Sequence, residues 1–527
     1  MQDCKMVASQ TATIVSINPA TKEVLGEVPV LGQTEVQAAV ARSWAAFENW
    51  NVLEYHKRAR KILELRRVIE RKQDEIADLI CREVGKPRVE SYLSELTGPL
   101  DTCVWLSENA ERMLKDQMVQ LPNPLLSSKQ SLIAFEPLGV IGVIAPWNYP
   151  FSIPMMTILM AVMLGNTVVL KPSEKSPLVG IKIGELFEAA GFPKDVVSVI
   201  TGDRTTGEHL SNCKLAKLIF TGSVEGGMKV MAQAAPHLTP VTLELGGKDA
   251  AIVLPDAPVD WTARGIVWGA FTNAGQACAS IERLYLIKGK KTDALIERIV
   301  HHTKELKLGN PADPSVDLGP VIDEIQLEKV IAHVDEARAL GANVIAGGNR
   351  RDDLGGFFYE PTILTGVNHK MAIMQKESFG PVLPIMVVDT EDEAVELAND
   401  SEFGLTATVW GKNLARAEGI ARDLNVGTVL LNDCLFSHAA PQLPWGGLKK
   451  SGFGRSHSQF GLQDLCNIKH INIDSPSGSE RMWWYPYGDS RVKVAKAGIG
   501  LLHGTFPVGK TKGLFAMLAN MFRKAKQ

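Results

Sequence analysis

Short β-branched runs alternate with longer helical patterns through the middle of the chain. IGVIAP (141–146) reads as a strand, and the apolar stretch from Phe151 to Leu164 as a buried core helix. NTVVLKP (166–172) reads as a second strand, followed by a helix from Leu178 to Ala190 that Gly191 and Pro193 close. VVSVI (196–200), KLIFTGS (217–223), a helix from about Glu225 and VTLEL (241–245) continue the series. Strands alternating with helices predict parallel pairing in an open α/β sheet, whose ligands sit at the carboxyl ends of the strands. The same alternation resumes after Gly246. DAAIVL, a helix near 260–275, RLYLI, a helix from Thr292, PIMVVD and GTVLLND predict a second α/β domain. Before about residue 115 the pattern is mainly helical, charged and amphipathic, as in HKRARKILELRRVIERKQDEIADLI.

Composition refines this picture in three places. At 527 residues the chain exceeds what one hydrophobic core organises, so more than one packed unit is expected. The net charge of −3 gives no basis for nucleic acid as a partner. Cysteines at 4, 81, 103, 213, 278, 434 and 466 are scattered and odd in number, and none pairs with a histidine at zinc-site spacing. Neither a disulfide framework nor a metal site is expected. A reducing, cytoplasmic setting is, where a single cysteine can serve as a nucleophile. The N-terminal MQDCKMVASQTATIVS lacks the basic-then-apolar build of a signal peptide. Pro137 to Leu170 carries no charge, but Pro146, Pro150, Pro154 and Gly165–Asn166 cut it into pieces too short to span a bilayer.

The segment FTNAGQACAS (271–280) holds the most informative cysteine, Cys278. Alone, such a residue reads best as an inert core thiol. Its company changes the reading. VTLELGGKD places Glu244 at a strand end beside two glycines, where backbone can approach a ligand. APWNYP (145–150) places Asn148 at another strand end, immediately before a helix. A thiol attacking a carbonyl needs a donor for the oxyanion, which an Asn amide supplies. It also needs a base for later hydrolysis, which a carboxylate in a partly apolar site supplies.

Together these segments resemble the NAD(P)-dependent aldehyde dehydrogenase superfamily, over about Ile17 to Ile473. FTNAGQAC matches the nucleophile motif and LELGGK the general-base motif, with PWNYP, KPSE, FTGS, KESFGP and PWGGLKKSGFGR in the expected order. The resemblance implies two Rossmann-like α/β domains plus a small β oligomerisation element. The NAD-binding domain is expected at 12–115 and 136–245, the catalytic domain at 246–435, and the oligomerisation element at 116–135 and 455–474. It implies a homodimer or homotetramer that oxidises a small-molecule aldehyde to an acid with NAD+. Cys278 would be the nucleophile, Asn148 and the Cys278 N–H the oxyanion donors, and Glu244 the base, a residue that CoA-acylating relatives generally lack.

For the cofactor, the resemblance assigns Gly222, Ser223 and Gly227, in GSVEGG, to a pyrophosphate turn; such a turn alone is often structural. Lys171 and Glu174 of KPSE would hold the adenine ribose. A carboxylate there repels a 2′-phosphate and so favours NAD+ over NADP+. Glu377 and Phe379 of KESFGP would hold the nicotinamide ribose. Trp147 lines the pyrophosphate side or is a buried core aromatic. Some family members carry a second glutamate after the late GR, proposed to relay protons; here the region reads GRSHSQFGLQD, with Gln459 near that place.

From Ser475 onward nine Lys/Arg face two Asp/Glu. In KTKGLFAMLANMFRKAKQ, Leu514, Phe515, Met517, Leu518, Met521 and Phe522 fall on one helical face, opposite most of Lys512, Arg523, Lys524 and Lys526. A basic amphipathic helix of this kind either lies in a membrane interface or packs on protein, over a partner subunit or the substrate tunnel. The membrane reading also rests on a resemblance to the tails of some fatty-aldehyde dehydrogenases. It would make the protein peripherally membrane-associated, and it tilts the expected substrate towards long or hydrophobic aldehydes. Two alternatives stay open: a semialdehyde dehydrogenase of the same family, and a non-catalytic structural relative.

Overall fold

The computed structural model describes residues 12–123, 126, 128–474, 481 and 483–503. They form two compact units, one running to Leu114 and resuming over Glu136–Asn467, the other made of Lys115–Phe135 and the chain from Ile468.

The larger unit carries two open sheets. In the first, the strands follow the order Gly452–Phe453, Val241–Glu244, Lys217–Thr221, Val140–Ile144, Thr167–Lys171 and Val197–Val199. All pair in parallel except Gly452–Phe453. The chain winds outward in one direction from Val140–Ile144 and in the other from Lys217–Thr221, so a crevice opens between the ends of these two strands. The uncharged stretch from Pro137 to Leu170 has a plain cause. Every residue of Val140–Ile144 and Thr167–Lys171 is buried, as are eleven residues of the Ser152–Met163 helix between them. Elements covered on all sides read as continuous apolar runs.

The second sheet has the order Asn343–Ala346, Thr362–Thr365, Val382–Val388, Ile281–Ile287, Asp249–Val253, Thr406–Trp410 and Thr428–Leu431. Only Asn343–Ala346 is antiparallel to its neighbour. The fold is therefore α/β with parallel sheets, as the alternation of patterns predicts. The N-terminal region is mainly helical, as expected, and opens on a hairpin of Thr13–Ile17 and Val24–Pro29, turned at Asn18, whose carbonyl accepts the N–H groups of Thr21 and Lys22. One local expectation is corrected. The helix expected near 260–275 is Val259–Phe271; Asn273, Ala274 and Gly275 leave it with φ of 52°, 55° and 70°.

The smaller unit contains a three-stranded sheet ordered Cys466–Asp474, Lys129–Pro137 and Gln117–Val119. Lys129 Nζ pairs with Asp474 at 2.9 Å. The helix Asp489–His503 follows, after exposed Trp483, Trp484, Tyr485 and Tyr487. The segment expected at 455–474 is divided in the structure. Residues up to Asn467, with the helix Ser458–Asp464, lie in the larger unit, because Gly452–Phe453 is drawn onto the edge of the first sheet beside Glu244. The amphipathic pattern over 510–527 lies outside the described residues. No helix among the described residues is long and apolar enough to cross a membrane.

Candidate active site

Three connected cavities lead into the larger unit. The outermost, about 380 Å³, is the crevice at the switch point of the first sheet, lined by Ile144–Trp147 after one strand and Phe220–Ser223 after the other. Lys171 and Glu174 stand on its wall, 3.1 Å apart. Burial raises the Glu174 carboxyl, but Lys171, a backbone N–H and Lys175 together more than offset this and hold it below the ordinary range. The helix Val224–Ala234 begins at the crevice, and the Ser223 side chain caps it by accepting the Gly226 N–H. Gly226 rather than Gly227 lines the wall. Gly227 serves packing instead: a Cβ there would fall 2.6 Å from a Leu245 methyl.

A second compartment of about 180 Å³ shares Trp147, Gly222 and Ser223 with the first and adds Asn148, Glu244, Cys278, Glu377 and Phe379. A third, of about 260 Å³, reaches Cys278 from the other side as a largely apolar funnel. Cys278 and Ile153 line both. The cysteine thus sits where a polar crevice and an apolar funnel meet.

The local sequence explains how it is held there. The left-handed turn at 273–275 is fixed from several sides. Asn273 donates its N–H to Glu90 at 2.9 Å, and its side-chain amide to the carbonyls of Asn148 and Gln276. The Gln276 side chain accepts the Ile322 N–H at 2.8 Å and donates to the Asn273 carbonyl. Such over-determination lets non-glycine residues persist at positive φ. Opposite, the glycine at 247 is obligatory: a Cβ would lie 2.3 Å from the Cys278 carbonyl oxygen. Burial pushes the Cys278 thiol well above its usual range, and the carboxylates of Asp249, Glu244 and Glu377 add to this.

Asn148 is buried and donates one amide hydrogen to the Gln276 carbonyl at 3.0 Å, which fixes its plane and leaves the second hydrogen. Glu244 ends its strand almost fully buried, and burial lifts its carboxyl to about 7. The Ser456 hydroxyl donates to it, and that bond, with Trp445 and Arg455, limits the rise. With Gln459 near the place of the family's second glutamate, the sequence leaves Glu244 to act without that helper or with a different one; Gln459 is exposed, and Ser456, directly after Arg455, holds the carboxyl.

Glu377 accepts the Gly247 N–H at 2.9 Å, and burial raises it to about 7. Phe379, at φ 54°, packs edge-on against Trp147 with centroids 5.5 Å apart. Trp147 is thus a wall of the crevice and not a core aromatic; Lys175 Nζ stands 5.3 Å from its ring centroid. Sequence reasoning missed what supports this loop. Glu282 accepts the N–H groups of Ser378 and Phe379 at 2.8 Å each and pairs with Lys248 at 2.6 Å; Glu282, Lys248 and Ser378 are buried. Gln326 donates to the carbonyls of Ser378 and Phe379. The available signal was Glu282 itself, a charge inside the apolar run IERLYLI.

Strand order and crevice place the protein among α/β folds of the dinucleotide-binding type. The comparisons with known proteins narrow this. The aldehyde dehydrogenase family model matches residues 6–471, and the chain belongs to that family. It is 35% identical to a chloroplastic betaine aldehyde dehydrogenase of Atriplex hortensis, over 89% of this chain and 94% of the relative. It is 34% identical to a 4,4'-diapolycopene aldehyde oxidase of Methylomonas sp, over 93% and 92%. Among solved structures, betaine aldehyde dehydrogenase from Staphylococcus aureus in complex with NAD+ superposes with a TM-score of 0.84 at 33% identity, covering 90% of this chain and 94% of that one.

Proposed function

We propose that this protein oxidises an apolar aldehyde to its carboxylic acid with NAD+, without CoA, through Cys278. The observation that carries the reading is the position of Cys278 on both the polar compartment and the apolar funnel, with Asn148 and Glu244 on the wall of the polar compartment. Lys171, Glu174, Trp147, Ser223, Glu377 and Phe379 would hold NAD+: the crevice offers a carboxylate for ribose hydroxyls and a capped helix N-terminus for the pyrophosphate. When bound, the nicotinamide accepts the hydride that the aldehyde carbon gives up.

The chain's own residues do the rest. The Cys278 thiol is protonated at neutral pH, so attack needs a base, and Glu244, poised at about 7, takes that proton. Sulfur adds to the aldehyde carbon while the Asn148 amide and the Cys278 N–H hold the oxyanion. The acyl group is left on Sγ. Glu244, having passed that first proton to solvent, then takes a proton from water, whose oxygen displaces the thiolate and releases the acid, and the proton returns to Sγ.

The funnel walls support an apolar substrate. Leu93, Ile153, Trp268, Leu435, Phe436 and Trp445 form them, and among the described residues no charged side chain lines them. That disfavours a semialdehyde, whose carboxylate would need a cation. The aromatic walls would also accept a trimethylammonium group, which makes betaine aldehyde the second reading. Exposed Met118, Ile468 and Ile473 on the small sheet support a homodimer or homotetramer. NADH formation without CoA across alkyl, aryl, betaine and succinate semialdehydes, beside C278A, tests the assignment. Turnover of apolar aldehydes that C278A abolishes is expected; NAD+ binding without turnover of any aldehyde would refute it.

A further inference from the structure

The apolar funnel contains polar side chains of two kinds. Ser94 and Thr272 are already satisfied: the first donates to the Glu90 carbonyl at 2.6 Å, the second to the Glu90 carboxylate at 2.9 Å. His438 is different. It lies on the turn Phe436–Ala439, swung against the funnel by Leu435 at φ 65°. Its ring meets Trp445 and His457 edge-on, with centroids 5.0 and 4.8 Å away. Neither ring nitrogen has a hydrogen-bond partner among the described residues. Burial pushes the imidazole down to about 4 and holds His457 well below its ordinary range, so at neutral pH His438 presents one donor and one acceptor, uncharged.

A polar group desolvated in an apolar wall is unfavourable until something pairs with it, and an aldehyde that fills the funnel displaces the water that could. A carboxylate on the substrate would find no cation there. An ammonium would use only the acceptor nitrogen and leave its charge in an apolar channel. A hydroxyl both donates and accepts and carries no charge. We propose that His438 is a specificity-determining residue that selects aldehydes bearing a hydroxyl on an otherwise apolar body. This rests on the assignment of the funnel as the aldehyde channel. Tyr149, whose hydroxyl is also unpartnered on the funnel wall, is the competing anchor.

The test compares kcat/KM within matched pairs: benzaldehyde and 4-hydroxybenzaldehyde, cinnamaldehyde and 4-hydroxycinnamaldehyde, decanal and 10-hydroxydecanal, all with NAD+. The expected result is a preference of about tenfold or more for the hydroxylated member of at least one pair. It should be flat from pH 6 to 8, reduced in H438N, which keeps some hydrogen-bonding capacity, and near one in H438F. NAD+ binding and melting temperature report folding of each variant; should H438F not fold, the wild-type pairs and H438N decide. Wild-type ratios near one, or a preference that survives in H438F or is lost only in Y149F, overturn the inference while leaving aldehyde oxidation standing. Failure to oxidise any aldehyde overturns both.

Discussion

Replacing Ser456 by alanine isolates one hydrogen bond at the proposed base. The backbone of Ser456 is pinned by a two-way bridge to Trp445, with N···O distances of 2.8 and 2.9 Å, so the substitution removes the hydroxyl and leaves the chain path. That hydroxyl donates to Glu244, whose carboxyl burial has lifted to about 7. A hydrogen bond to a charged group contributes about 1.5–3 kcal/mol, and the lower end applies where a small gap admits water. At 1.36 kcal/mol for each pH unit, its loss raises the pKa of Glu244 by about one. At pH 7 the ionised fraction then falls from about one half to about one tenth, and deacylation slows about fivefold.

Stopped-flow formation of NADH separates the steps, because the first turnover precedes hydrolysis of the acyl-enzyme. S456A is expected to keep its burst amplitude while the burst rate and the steady state both slow at pH 7, and to recover nearly the wild-type rates by about pH 9. Threonine at 456, which keeps a hydroxyl, should restore the profile. A deficit equal at every pH would show that Ser456 only supports structure. An unmoved profile would show that Glu244 is not the base whose ionisation limits hydrolysis.

Three further predictions follow from the same geometry. Because the folded carboxyl of Glu244 titrates at about 7 against an ordinary 4.5, the native state binds that proton more tightly than the unfolded chain. Stability is lost as pH rises from 4.5 through 7, to about 3 kcal/mol; E244Q should therefore melt higher than wild type at pH 8 and not at pH 4.5, and an equal offset at both pH values would refute this. Glu174→Gln removes the carboxylate facing the ribose site and should reduce the preference for NAD+ over NADP+, measured as the ratio of kcat/KM, about tenfold. Glu282→Gln strands the buried Lys248 ammonium and should destabilise by about 3–5 kcal/mol in urea unfolding, while weakening NAD+ binding because the Glu377–Phe379 loop loses its charged acceptor; unchanged affinity would show that the loop holds itself.

What was legible in the sequence followed from strong local periodicity. Val140–Ile144, Thr167–Lys171, Lys217–Thr221 and Val241–Glu244 are β-branched runs buried on both faces, and their order with the helices implied the sheet. Asn343–Ala346 and Thr362–Thr365 were not read, being four-residue strands next to glycines, too short for a period to show. Thr406–Trp410 was missed although all five residues are buried, because its threonines satisfy themselves by side-chain bonds, Thr406 to Asp249 and Thr408 to the Trp410 indole. The partners of Glu244 and of the 377–379 loop were missed for another reason. Ser456 lies 212 residues from Glu244 and Glu282 lies 96 from Ser378, so only folding brings them together.

The same reasoning explains why the chemistry is easier to read than the substrate. Each chemical group of the site is the end of a strand or the turn after a helix, and such ends have compact local patterns: Glu244 closes a strand, Asn148 follows one, and Cys278 follows the turn at 273–275. The funnel has no such pattern. Its wall is assembled from single side chains on separate segments: Leu93 on a helical turn, Trp268 on the exposed face of another helix, and Phe436 with His438 on a loop after the second sheet. A leucine or tryptophan at such a place is indistinguishable in sequence from a core residue or a solvated one. A polar group left unpaired inside that wall is the exception, because desolvation makes it unfavourable unless a ligand answers it. His438 is therefore the position at which substrate preference should respond most sharply to a single change, and a panel that varies only one hydroxyl is the measurement suited to detect it.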